Sequence, residues 1–337
     1  MVEYKISTKK MKQTLLLILL LTAGLTASAQ SKREQIRNRV DSVLSKNYHK
    51  GSFDTLYMKR PDGRLTLKLR ANLSGYSQHS KFKDINNKYN AKLSTDTRGT
   101  FSVAATYYGI TAGVALNPAR LSGKNKDLEL NLNAYGNRFG LEASYQNSKT
   151  LSGDIDHNFG TFHLSRDDVK MTLVTVTGYY AFNYKHFSYP AAFTQSYIQK
   201  RSCGSWLVGL TYQGGRIKTT DDAPEVLGKT RFNLHTFAIG GGYGYNLVAG
   251  KWLFHLSAQP NLIIFSDDDI EQDGLRRDGK THFPEFIINS RAAIVFNITQ
   301  KYFVGSTFLF NTTLLGDNDD YSRQTKWRAR AFFGFRI

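Results

Sequence analysis

Residues Lys326–Ile337 read KWRARAFFGFRI. Trp327, Ala329, Ala331, Phe333, Phe335 and Ile337 fall on one parity. Lys326, Arg328, Arg330, Gly334 and Arg336 fall on the other, with Phe332 as the apolar exception. Successive side chains of a strand point to opposite faces, so a period of two marks a strand. Arg64–Ser74, RLTLKLRANLS, repeats the pattern, with Leu65, Leu67, Leu69, Ala71 and Leu73 opposed to Arg64, Thr66, Lys68, Arg70, Asn72 and Ser74. An apolar face backed by a charged one suits a wall between lipid and a wet lumen, the pattern of a transmembrane β-barrel.

Working outward, ten further alternating segments follow between these two, near residues 99–107, 110–116, 128–134, 139–145, 169–182, 206–212, 237–245, 252–258, 285–297 and 302–311. The fold class expected is all-β: an antiparallel transmembrane barrel of about twelve strands, preceded by a short N-terminal helix. Tyr108-Gly109, Gly136–Arg138, Val248–Lys251 and Thr299-Gln300 are short connections. Gly75–Arg98, Asn117–Lys126, Asn147–Asp168, Gly214–Arg231, Ser266–Phe283 and Thr312–Gln324 are long, polar and read as external loops. Short periplasmic turns, long external loops and an even strand number are the rules of bacterial outer-membrane barrels. Asn183–Ser202 breaks the rhythm: it should be a short turn, yet it is long and contains Pro190. It is expected either to fold as a periplasmic flap or to mean that the strand near 169–182 ends elsewhere. A soluble β-sandwich or lipocalin-like barrel is the competing architecture, because alternation alone does not say which face points inward.

The first residues predict export. Lys9, Lys10 and Lys12 precede an apolar run from Leu15 to Leu25, and Ala27-Ser28-Ala29 follows. A basic start, a short apolar core and an A-x-A site make a secretory signal peptide, with cleavage expected after Ala29. Three regions result: the signal peptide 1–29, a periplasmic extension 30–62 and the barrel 63–337. Within the extension, Ile36, Val40, Val43 and Leu44 share one helical face over Ser31–Asn47. No later segment is apolar and long enough for a spanning helix. The expected location is therefore the bacterial outer membrane, with outer-membrane lipid, lipopolysaccharide and the barrel-assembly machinery as partners.

The formal charge of +18 would suggest nucleic acid in a cytosolic protein, but export argues against that partner. The cations recur at inward strand positions. Lys68, Arg70, Arg328, Arg330 and Arg336 are the candidates for a basic lumen face, which would attract anions. The plainer reading is that they pair with inward Glu129, Glu142 and Glu285, since buried charges need partners. Trp206, Trp252 and Trp327 are the candidate membrane-interface anchors. The single cysteine, Cys203, permits no intrachain disulfide and reads as a small buried side chain.

No catalytic residue, cofactor or metal is expected. Two His-x-Ser spacings occur, His163/Ser165 and His255/Ser257, and residues two apart on a strand share a face. The second pair resembles the arrangement in outer-membrane phospholipase, where the pair faces lipid. Here Trp252, Phe254 and Leu256 take the lipid face, so His255 and Ser257 should point inward, and wall polarity is the better reading. Asp267–Asp269 with Glu271 and Asp273, and Asp317–Asp320, read as solvated acidic loops without EF-hand spacing. Gly240–Gly242 and Gly244 lack the Lys-Ser/Thr of a phosphate loop and read as strand packing or a bend.

Four segments carry a family resemblance: Asp54–Pro61 (DTLYMKRP), Arg64–Gly75 (RLTLKLRANLSG), Phe187–Phe193 (FSYPAAF) and Arg201–Ser205 (RSCGS). The chain resembles the domain of unknown function 4421 family, outer-membrane barrel proteins of the Bacteroides group. The resemblance implies the barrel and carries no active-site residue. The function expected is non-enzymatic, structural or the passage of a small solute such as an anion. The alternatives are a lipid-modifying hydrolase using His255 and Ser257, and a surface adhesin working through the external loops.

Overall fold

The alternating segments become strands, and the interval between them follows the sequence closely. The computed structural model describes Asn38, Arg39, Ser42 and residues 53–337, except 64, 84–87, 108–109, 119–126, 222, 226–227, 279–283 and 317–319. The signal peptide, Arg64 and most of the leader helix lie outside the described residues. Asn38, Arg39 and Ser42 are helical and exposed. Contacts separate Met1–Gly51 from Ser52–Ile337, so Phe53–Pro61 belongs physically with the sheet unit.

The elements are β1 (Met58–Lys59), β2 (Leu65–Lys83), β3 (Lys88–Ser94), β4 (Arg98–Tyr107), β5 (Ile110–Leu116), β6 (Leu128–Tyr135), β7 (Phe139–Ser148), β8 (Ser152–His157) and β9 (Gly160–Leu164). They continue as β10 (Val169–Ala181), α1 (Tyr189–Phe193), β11 (Ile198–Gln199), β12 (Cys203–Thr219), β13 (Thr230–Ala249) and β14 (Trp252–Gln272). β15 (Leu275–Asp278), β16 (Phe286–Asn297), β17 (Tyr302–Gly316) and β18 (Tyr321–Arg336) complete the chain. Twelve of the strands form one antiparallel path, β5-β4-β2-β18-β17-β16-β14-β13-β12-β10-β7-β6. These are the twelve segments read from the sequence. The path curls so that β18, last in sequence, pairs with β2, and Ile337 and Leu65 exchange backbone hydrogen bonds of 2.8 and 3.0 Å. Its two edges, β5 and β6, carry Cα atoms within 8 Å of each other.

Burial settles which face is which. Phe101, Leu132 and Phe139 are more than 60% exposed, whereas Lys68, Asn261 and Asn289 are at most 1% exposed. Apolar side chains stand outside and polar ones fill the interior, the reverse of a soluble sandwich or lipocalin and the polarity of a lipid-facing wall. Many inner polar groups bond one another, as buried polar groups tend to. Asn289 Nδ2 donates to Thr211 Oγ1 at 3.0 Å, and Gln213 Nε2 to Gln324 Oε1 at 3.1 Å, across strands that are not neighbours. On β18 the outward aromatics run from Trp327 to Phe335, eight residues apart. At ~3.3 Å per residue and ~40° tilt this spans roughly 20 Å, close to the ~25 Å of a barrel's apolar band.

The long polar stretches are not loops throughout. β2 and β3 form a hairpin that extends past the apolar band, β8 and β9 form another, and β3 pairs with β8. β14 runs through Asp267, Asp268, Asp269 and Glu271 and turns back as β15. The acidic segment is therefore strand. Glu271 takes Arg231 from the neighbouring β13, and Asp269 takes Asn233 and Arg276. Polarity outside the band marks water, not loss of strand pairing, and it is the wrong signal for ending a strand. The glycine run lies against a break in the β13–β14 ladder. Pairing between the two strands passes from Gly240–Asn261 to Tyr243–Ala258, beside Pro260, which has no backbone N–H to give.

The irregular Asn183–Ser202 connection packs onto the short-turn end of the sheet unit. Its helix α1 is wholly buried and lies against β6, β14 and β16. Tyr179, Phe187, Tyr189, Phe193, Leu207, Leu253, Val295, Phe303 and Phe332 form one apolar cluster around it. A second cluster of Tyr76, Leu151, Leu164, Val169, Met171 and Leu173 sits at the hairpin end. Polar residues occupy the space between.

Candidate functional site

DTLYMKRP, more than a hundred residues away in sequence, meets FSYPAAF and RSCGS at this connection, and together they build a plug. Ser188 is extended, caps α1 and accepts a hydrogen bond from Ala191 N at 3.2 Å, while Pro190 sits in the first turn where its missing N–H costs nothing. Thr194 closes the turn by donating its Oγ1 to Pro190 O. β1 pairs with β11, Lys200 N donates to Tyr57 O at 2.7 Å, and Asp54 N donates to Lys185 O at 2.9 Å. The Asp54 carboxylate lies 3.3 Å from His186 Nε2, and the His186 and Tyr57 rings are 4.5 Å apart. Arg60 donates to the Tyr197 hydroxyl at 2.9 Å. Burial pushes that hydroxyl's pKa up, and the Arg60 charge opposes the shift.

Four inward wall residues hold the plug. Lys68 donates to Thr194 O and to Gln195 Oε1. Asn246 donates to Ser188 O at 2.9 Å, and the Tyr189 hydroxyl donates to Ser257 Oγ at 2.9 Å. His255 joins the last two: Nδ1 lies 2.7 Å from Asn246 Oδ1 and Nε2 lies 3.0 Å from Ser257 Oγ.

Asn246, His255 and Ser257 thus make the hydrogen-bond chain of an Asn-His-Ser relay. The chain is sealed: His255 is 3% and Ser257 2% exposed, with the rings of Phe187, Tyr189 and Phe193 against the imidazole. As the alternation required, the pair points inward. His163 meets Asp154 at 2.7 Å on the exposed β8–β9 hairpin.

Beyond the plug the lumen is strongly basic. Arg291 grips Glu142 through Nε–Oε1 at 3.1 Å and Nη2–Oε2 at 2.9 Å, and the Tyr135 hydroxyl donates to the same carboxylate. Glu129 takes Arg328 at 2.7 Å and Arg98 at 3.2 Å. Arg330 donates to Asn72 Oδ1 at 2.7 Å and Lys326 to Ser144 Oγ at 3.0 Å. Among the described residues, Arg98, Arg291 and Arg328 pair with two mid-lumen carboxylates, Glu129 and Glu142, and Arg70, Lys326 and Arg330 stand on the same inner face. Arg336 lies lower, at the short-turn mouth, and donates to Gln300 O and Asn297 Oδ1 at 3.1 Å each.

All five basic residues selected from the sequence lie on the inner parity, but they do not act alike. Arg328 is held by a carboxylate, Lys68 fastens the plug, Arg330 is held by an amide and Arg336 belongs to the mouth. Glu285, expected as a third counter-charge, is buried near the hairpin end, where it accepts from Gly316 N at 2.9 Å. Arg98 and Arg291 were missed, although each lies at an inner position beside an alternating apolar run. Among the tryptophans, Trp206 and Trp252 stand outward at the short-turn edge, and Trp327 packs on Gly75 at the opposite edge of the apolar band.

The curled antiparallel sheet, its apolar exterior and its polar, plugged interior define a protein of the outer-membrane β-barrel class. The chain belongs to the family described as domain of unknown function (DUF4421), whose model matches residues 52–336. No curated protein matches it. Among solved structures it is similar to the outer membrane protease OmpT from Escherichia coli, at 7% identity and TM-score 0.43 over 82% of this chain and 97% of that one. It is similar to an outer membrane channel from Pseudomonas putida F1, at 14% identity and TM-score 0.33 over 83% and 98%. The outer membrane protein OprG from Pseudomonas aeruginosa follows, at 10% identity and TM-score 0.28 over 82% and 97%.

Proposed function

We propose that this protein is a non-enzymatic outer-membrane barrel that passes small anions through a lumen closed at rest by its own periplasmic plug. The observation that carries the reading is the excess of cations around Glu129 and Glu142 among the described residues: Arg70, Arg98, Arg291, Lys326, Arg328 and Arg330 share that stretch of the inner face with two carboxylates. Burying charge without a partner is expensive, and apolar or neutral residues would fill a purely structural interior at less cost. A conduit gains from the same charge, because a low-dielectric channel of one sign concentrates the opposite ion. The plug supports closure: it is the one short-turn connection that is long, and it folds into the mouth and not away from it.

Planar-bilayer recording of the refolded protein tests this. The intact protein is expected to be silent or to open rarely. Replacing residues 184–201 by a short turn is expected to give steady, anion-selective conductance. A folded, plug-deleted barrel that stays silent or prefers cations would overturn the reading.

The Asn246–His255–Ser257 chain is the observation on the side of a hydrolase. Its burial, and the Tyr189 hydroxyl already bonded to Ser257, favour a fastening role. Lipid turnover that disappears in His255→Ala would reverse that preference.

A further inference from the structure

The mouth of the barrel holds a second basic feature, separate from the lumen and built from different elements. Lys59 arrives from β1, Lys251 from the turn between β13 and β14, and Arg336 from the end of β18. All three converge on one turn, Asn297–Gln300. Lys59 Nζ donates to Gln300 Oε1 at 2.8 Å and Lys251 Nζ to Ile298 O at 3.0 Å. Arg336 donates to Gln300 O and Asn297 Oδ1, and its side chain is 3% exposed. A cavity of about 350 Å³ opens among them.

No carboxylate lines that cavity. Its other walls mix apolar side chains, Trp252, Leu253 and Val295 among them, with polar Tyr197, Gln199 and Thr299. The wider surroundings have the same sign. In residues 53–63, 136–138, 182–203, 249–252, 297–302 and 334–337 there are nine Lys and Arg against two side-chain carboxylates, Asp54 and Asp62. Asp54 is taken by His186.

Three like charges brought to one turn repel one another. An anion seated between them would relieve this through charge-assisted hydrogen bonds. The volume lies within the range of small-molecule sites, which are usually apolar pockets with a few placed polar groups.

We propose that this cavity binds an oxyanion of the phosphate class, with Lys59, Lys251 and Arg336 as its ligands. Two sources share that chemistry: free phosphate, and the phosphate of a phospholipid headgroup, whose glycerol and first methylenes would lie on Trp252 and Leu253. Trp252 is also on the outer, lipid-facing edge, so the cavity borders the bilayer. The site does not depend on anion passage, and binding is measured without current.

The test is calorimetric titration of the folded protein in uncharged, phosphate-free detergent micelles. One arm uses inorganic phosphate, the other a short-chain phosphatidylglycerol below its micellar concentration. The variants are Lys251→Gln, Lys59→Gln with Lys251→Gln, and the control Lys170→Gln on the wall far from the cavity. Lys59 and Lys251 are at least partly exposed, so the variants should keep the folded, heat-modifiable form. Saturable binding is expected, at least tenfold weaker in the double variant and unchanged in the control. Binding of phosphate alone names the free ion as source; binding of phosphatidylglycerol without phosphate names the headgroup. Absence of saturable binding in both arms, or equal binding by the double variant, overturns the proposal.

Discussion

Arg291 on β16 and Glu142 on β7 meet as a two-pronged ion pair although their strands are five apart in the sheet. The pair therefore spans the lumen and ties opposite walls together, with the Tyr135 hydroxyl on the same carboxylate. Arg291 is 2% exposed. Removing the carboxylate would leave its charge buried and uncompensated. Glu142→Ala should destabilise the folded barrel by about 3–5 kcal/mol. Glu142→Leu combined with Arg291→Met should lose much less, because both charges go together. Urea unfolding in lipid vesicles, followed by tryptophan emission, reads both.

Lys68 is the wall residue whose charge is given to the plug. Its ammonium reaches Thr194 O and Gln195 Oε1 at the C-terminal end of α1, where carbonyls are left over from the helix. Lys68→Met keeps the length of the side chain and removes the donor. The plug should then detach more often, and single-channel recording should show frequent openings where the intact protein shows few. Openings no more frequent than in the intact protein would mean that packing of Phe187, Tyr189 and Phe193 alone holds it.

A ring covers a gap in the wall next to Lys68, at the short-turn end of β18. Phe303 lies directly across the ladder from Gly334, and a Cβ built on Gly334 would run into the Phe303 ring. The Arg336 guanidinium in turn sits 4.3 Å from the centre of that ring. Gly334→Val would expel the ring from a fully buried position. A loss of roughly 3 kcal/mol or more is expected, in the range of large core truncations, with slower formation of the heat-modifiable species during refolding. Gly99→Ala, whose added Cβ would meet only Leu73 at 3.7 Å, is the matched mild substitution.

The strand count was legible because lipid imposes a rule on every second residue. Wherever the wall crosses the apolar band, as at Leu67–Leu73 or Trp327–Phe335, the alternation is forced and the strand reads cleanly. Outside the band nothing forces it, so β3, β8, β9 and the far end of β14, from Ser266 on, read as loop although they keep their pairing. Inside the lumen, parity places a side chain on the right face but says nothing of its partner. Arg291 finds Glu142 only because the sheet curls, a relation with no local signature. The plug was visible as an anomaly, an overlong turn containing Pro190, and its destination was not. Its inward fold depends on three segments meeting, and on Asn246 and Ser257 being placed to receive it.

The tryptophans offer a check of the wall's polarity and of its placement in the bilayer together. Trp206 is 68% exposed and Trp252 43%, both outward at the short-turn edge. Trp327 is on the opposite edge of the band, against Gly75, with Ser77 and Thr325 just beyond it. Indoles favour the headgroup region, where the ring is half in lipid and the N–H can reach water. Single-tryptophan variants that keep one indole each should be quenched most by lipids brominated near the headgroup and least by those brominated at the chain end. Trp206 and Trp252 should report one leaflet and Trp327 the other, so a quencher confined to the outer leaflet should dim Trp327 alone. Equal quenching of all three from one leaflet would place the apolar band elsewhere on the wall.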